Sequence, residues 1–109
     1  MKSALIADAN QSHLVIVDVQ TKLASVMPTD ISSVVKNCTI LLQAAHLLDI
    51  PFVYTEQYPK GLGNTVSELG PYLSNKKAVE KTAFSCFAVP AFNRQLSSDR
   101  GSLILAGME

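Results

Sequence analysis

The sequence predicts an α/β protein, a Rossmann-like three-layer α/β/α arrangement around a parallel sheet. Two observations carry this. Short apolar runs rich in β-branched residues alternate with helical segments, and the connections between them are short turns. Sequential strands separated by helices are joined as parallel crossovers rather than hairpins.

Residues 1 to 12 are aperiodic and read as an N-terminal tail, leaving 13 to 109 as one domain. From His13, Leu14-Val15-Ile16-Val17 is a continuous apolar run ending in Asp18-Val19-Gln20, the pattern of a strand buried on both faces. Pro28-Thr29-Asp30 then offers a helix start, with Thr29 or Asp30 as N-cap. Ile31, Val34, Val35, Cys38, Leu41, Leu42, Ala45 and Leu48 recur at three- and four-residue steps, which predicts an amphipathic helix. Ile40 and Leu47 fall on its opposite face, either as single exposed residues or as part of a subunit interface.

Pro51 opens a second strand, Phe52-Val53-Tyr54-Thr55, followed by a Pro- and Gly-punctuated loop from Glu56 to Asn64. Thr65 and Glu68 have capping-box spacing for a short helix ended by Gly70-Pro71. A third strand is predicted over Ala78 to Lys81, and Pro90 suits the first turn of a helix running to about Ser97. A fourth strand covers Ser102 to Gly107, and only Met108-Glu109 follow it. A strand so apolar needs a covering helix, so the chain is expected to stop part-way through its fold.

At 109 residues, with 48% apolar and 17% charged residues, the chain has the size and composition of one packed domain rather than a disordered segment. Nine basic residues balance nine acidic ones, which provides no field to gather nucleic acid or anionic lipid as a partner. No apolar run approaches the ~20 residues that span a bilayer, and the N-terminus lacks a secretory pattern, so the expected location is cytoplasmic. Cys38 and Cys86 read as reduced thiols. No CxxC or His-rich spacing suggests a metal, and Gly61-x-Gly63 lacks the third glycine of a dinucleotide fingerprint, so no cofactor is expected.

Ligands of open α/β sheets bind beyond the carboxyl ends of the strands. Asp18 and Lys81 occupy two such ends, so one rim can hold a carboxylate and an ammonium. An aspartate there is also a common turn former, and an isolated lysine a common surface charge. Their positions alone therefore leave the structural alternatives open.

Three blocks narrow the choice: Leu14-Val15-Ile16-Val17-Asp18-Val19-Gln20, Thr55-Glu56-Gln57-Tyr58-Pro59-Lys60-Gly61-Leu62-Gly63 and Glu80-Lys81-Thr82-Ala83-Phe84-Ser85-Cys86-Phe87. With the terminal Leu103-Ile104-Leu105-Ala106-Gly107-Met108-Glu109, their order and spacing resemble isochorismatase-like cysteine hydrolases over nearly all of the chain after the tail. The resemblance implies a strand order of 3-2-1-4, Asp18 as catalytic base and Lys81 as catalytic cation. It further implies a nucleophilic cysteine in the loop after the fourth strand, a small amide or related metabolite as substrate, and a homo-oligomer. Gln20, Tyr58, Phe84 and Phe87 become candidates for the substrate pocket, with a place in the core as the equal alternative for Tyr58, Phe84 and Phe87. Cys86 falls where the family has a packed turn, not its nucleophile. Some nicotinamidase-type relatives hold a metal through histidines after the second strand, but Glu56 to Asn64 contains none. Replacing Asp18 or Lys81 on such a rim is expected to change thermal stability little. The competing expectation is a non-catalytic binding or assembly module on the same scaffold.

Overall fold

The computed structural model describes residues 8–26, 31–73, 76–82, 89–96 and 100–108. Its strands are β1 (Ser12–Val17), β2 (Phe52–Gln57), β3 (Val79–Lys81) and β4 (Ser102–Gly107), and its helices α1 (Thr21–Val26), α2 (Ser32–Leu47), α3 (Pro59–Leu62) and α4 (Pro90–Arg94). The four strands form one sheet in the order β3-β2-β1-β4, with all neighbours parallel. This is the predicted order.

The β-branched run of β1 is central, and side-chain alternation sends Leu14 and Ile16 to one face and Val15 and Val17 to the other. On the first face, Phe52 and Tyr54 of β2 join Val35, Cys38, Leu42 and Ala45 of α2 in the larger core. On the second, Val15, Val53 and Val79 pack against Phe92 of α4. Helices on both faces make the three layers.

The buried stripe of α2 follows the predicted periodicity except at its end. Leu48 is 57% exposed because α2 stops at Leu47 and Asp49 turns the chain with φ of 55°. Ile40 and Leu47 are exposed. The expected caps, Thr29 and Asp30, lie outside the described residues, and Ile31 occupies the N-cap position with no side-chain hydrogen bond.

Other boundaries differ from expectation for identifiable reasons. Ser12 belongs to β1 and is buried, and Asp8 caps a 3₁₀ turn over Ala9–Gln11, so the described part of the expected tail is folded. α1 and α3 were not predicted, since six and four residues carry too little periodicity to read. Thr65 and Glu68 do not form a capping box. The Thr65 amide and hydroxyl both donate to Glu56 Oε2, at 2.6 and 2.8 Å, and a 3₁₀ helix over Ser67–Tyr72 follows with Pro71 inside it.

β4 pairs with β1 through Gly107, opposite Val17, at φ of 155°. A Cβ on Gly107 would overlap the Val17 carbonyl oxygen and lie 2.8 Å from its carbon and 2.9 Å from its nitrogen. These are backbone atoms that cannot step aside. Gly107→Ala is therefore expected to destabilise the fold by about 2 kcal/mol or more. Gly101→Ala, whose Cβ would meet nothing within 4 Å, should change stability by no more than about 0.5 kcal/mol. Urea denaturation of the two variants checks this, and equal losses would contradict it.

Candidate active site

β1 ends at Val17, and Asp18 takes a left-handed conformation with φ of 54°, which aspartate tolerates better than most residues. The Asp18 amide donates to the carbonyl and hydroxyl oxygens of Thr55, each at 3.2 Å, so the turn is fastened to β2. The register of β2 on β3 sets Gln57 beside Lys81, the last residue of β3. Alternation carries Thr55, Gln57 and Lys81 on the same face as Val53 and Val79, so an apolar floor rises to a polar rim at the carboxyl end of the sheet.

Lys81 and Asp18 are separated by the intervening β2, a span of roughly 9–10 Å between strand axes. The lysine stem crosses it. Its Nζ lies 2.8 Å from Asp18 Oδ2, and the two side chains are 1% and 0% exposed. Thr55 Oγ1 donates to Asp18 Oδ1 at 2.7 Å, so each carboxylate oxygen has a donor. Lys81 also donates to Gln57 Oε1 at 2.8 Å. In so buried a position the pair attracts strongly but has lost hydration that hydrogen bonds such as these help to replace. Chemically, the arrangement offers a basic oxygen and a fixed positive charge at one point.

The remaining candidates divide. Tyr58 is 55% exposed and lines a cleft of about 340 Å³ with Pro59, Lys60, Glu80, Lys81 and Thr82. Its ring lies over Gly61, where a Cβ would stand 2.5 Å from the ring. Gln20 does not line the cleft. It is fully buried, with Oε1 accepting from the Gln57 amide at 2.7 Å and Nε2 donating to the carbonyls of Gln57 and Gly63, at 2.9 and 2.7 Å. Its carboxamide is spent on the backbone groups of Gln57 and Gly63. Phe84 and Phe87 lie outside the described residues, as does Cys86. Cys38 is buried in the α2 core, and burial pushes its thiol pKa up, which disfavours the reactive thiolate.

Thr55 and Gln57 were not singled out from sequence. Their signal was the polar ending of an apolar strand at alternate positions, beside the candidate rim. Among the described residues no group of three or more His, Cys, Asp and Glu side chains could hold a metal ion, and no helix is long and apolar enough to cross a membrane.

Fold and site together define a three-layer α/β domain with a buried aspartate–lysine pair at the carboxyl end of its parallel sheet. The chain belongs to the isochorismatase family: the Isochorismatase domain model matches residues 12–109. It is 42% identical over 101 residues to isochorismatase domain-containing protein 2 of Danio rerio, covering 90% of this chain and 49% of that protein. It is 46% identical over 71 residues to isochorismatase domain-containing protein 2A of Mus musculus, covering 63% of this chain and 32% of that one. Among solved structures, the MAR1 ribonuclease from Caenorhabditis elegans is similar at a TM-score of 0.83 and 36% identity, covering 94% of this chain and 53% of that chain. The ycaC gene product of Escherichia coli, described as an octameric hydrolase of unknown specificity, has the same fold at a TM-score of 0.81. At 21% identity, with 99% of this chain and 55% of that one covered, that likeness extends to fold alone. The chain spans about a third to a half of the length of these two curated relatives.

Proposed function

We propose that this domain belongs to a cysteine hydrolase acting on a small amide or related metabolite, with Asp18 as base, Lys81 as the fixed cation and the nucleophile in the loop that follows β4. The observation that carries the proposal is the buried contact of 2.8 Å between Lys81 Nζ and Asp18 Oδ2 at the strand ends. The path of the chain supports it. The Met108 amide donates to the Val17 carbonyl at 3.1 Å, so residues leaving β4 start beside Asp18.

Asp18 would accept the thiol proton while Lys81 favours the charged forms and holds the carboxylate in place. The thiolate would add to the carbonyl carbon, and the collapsing tetrahedral intermediate would expel the amine with the proton Asp18 had taken. Water would then cleave the thioester, with Asp18 again accepting a proton. Tyr58 would form an apolar wall of the substrate cleft, and Phe84 and Phe87 are proposed to join it. No cofactor is required by these steps. We place the protein in the cytoplasm as a homo-oligomer, with the exposed Ile40 and Leu47 as the surface in question.

A relative of this chain bears the name ribonuclease. The balance of nine basic and nine acidic residues supports a small-molecule substrate instead, because binding a phosphate backbone depends on excess positive charge. The test uses the protein extended through the loop after β4, assayed for ammonia release from a panel of small carboxamides and for an acyl adduct by intact mass. Turnover with an adduct outside residues 1–109 is the expected result. RNA cleavage without amide turnover, an adduct on Cys86 or Cys38, or a protein that binds amides without cleaving them would overturn it, the last in favour of a non-catalytic module.

A further inference from the structure

We propose that Gln57 is a positioning residue, whose carboxamide fixes the direction of the Lys81 ammonium and ties it to the loop after β2. The ammonium has acceptors from two different strand ends, Asp18 Oδ2 and Gln57 Oε1, each at 2.8 Å. A lysine head held by one carboxylate can slide between its two oxygens. Here the second oxygen is taken by Thr55, and a neutral acceptor on β2 fixes the ammonium from another direction.

The orientation of the Gln57 amide follows from its surroundings. Nε2 donates to the Thr82 carbonyl at 3.0 Å, and turning the amide over would set an NH₂ against an ammonium and an oxygen against a carbonyl. The backbone of Gln57 is locked in turn by Gln20, through its N–H and its carbonyl, and the same Gln20 Nε2 reaches Gly63. One connected set of hydrogen bonds therefore joins the ends of β1, β2 and β3 and the loop up to Gly63. Being neutral, Gln57 adds an acceptor without a second negative charge to compete with Asp18 for Lys81.

The experiment measures the ammonium directly. In the protein extended through the loop after β4 and labelled with ¹⁵N at lysine Nζ, a slowly exchanging ammonium signal assigned by its loss in Lys81→Met is expected. Gln57→Met keeps the stem and removes the acceptor, and should speed exchange at Lys81 about 10-fold or erase the signal, whereas the isosteric Gln57→Glu should retain it. Amide turnover should fall on the order of 10-fold in kcat for Gln57→Met with KM within about twofold, because misdirected charge affects the chemical step. Gln57→Ala supplies the same comparison should the Met variant not fold. A wild-type Lys81 ammonium that exchanges freely, or a signal unchanged in Gln57→Met or Gln57→Ala, would overturn the proposal, and neither observation requires any variant to be active. The kinetic arm rests on the hydrolase function proposed above. Absence of wild-type turnover would count against that function, while the exchange rate would still decide the role of Gln57.

Discussion

Asp18→Asn, in the protein extended through the loop after β4, is expected to lower kcat about 100-fold or more, and Lys81→Met to do likewise. Asparagine keeps the shape of the side chain. Its NH₂ can turn to Thr55 Oγ1 while its oxygen accepts from Lys81, so geometry survives and basicity does not. Methionine keeps most of the lysine stem across β2 and removes the charge. In the proposed mechanism base, cation and nucleophile act together, so the double variant should be little worse than the poorer single one. Steady-state kinetics on the best amide of the panel decides this. A single variant within about threefold of wild type would remove that residue from the mechanism.

The same substitutions are expected to be costly to stability, contrary to what two rim residues on a sequence would suggest. Side chains that are 1% and 0% exposed form a buried ion pair, and removing one partner strands the other charge away from water at a cost of about 3–5 kcal/mol. In the extended protein, at roughly 150–250 residues, that corresponds to a melting temperature lower by about 6–20 °C. Asp18→Asn combined with Lys81→Met removes both charges, and should lose less than the sum of the single losses by at least about 2 kcal/mol. Urea denaturation of wild type, both singles and the double gives the coupling energy. Additive losses, or singles that each lose under about 1 kcal/mol, would mean that solvent screens the pair. The kinetic comparison must accordingly be made at a temperature where all variants remain folded.

The polar residues around the pair differed in how far they could be read in advance. Asp18 and Lys81 stand at the carboxyl ends of strands, where chemistry accumulates, but it is the family resemblance and not their position that singles them out. Gln20 stands three residues past the end of β1 and reads from sequence as a pocket candidate, and in the structure its carboxamide is bonded to the backbone of Gln57 and Gly63. Glu56 and Thr65 are a similar case. A capping box was the local solution for Thr65, and a buried carboxylate nine residues earlier in the chain competed successfully for its amide and hydroxyl. Neither outcome has a signature in composition or period, because both depend on which loop folds over which strand end.

By itself the sequence determined the parallel α/β class, the positions of four strands, the buried stripe of α2 and, through family resemblance, the strand order 3-2-1-4 and the two candidate catalytic residues. These properties follow from periodicity within single elements and from blocks of adjacent residues, which act over one strand or a few helical turns. Tertiary structure alone decided that Asp18 meets Lys81 across β2 with both side chains buried, that Thr55 and Gln57 hydrogen-bond to the pair, and that the Gln20 carboxamide bonds the backbone of Gln57 and Gly63. The bonds concerned join residues 63, 37 and 24 positions apart. Such contacts are set by the register of β1 on β2 and of β2 on β3, since a slip of one residue would turn every one of these side chains to the opposite face.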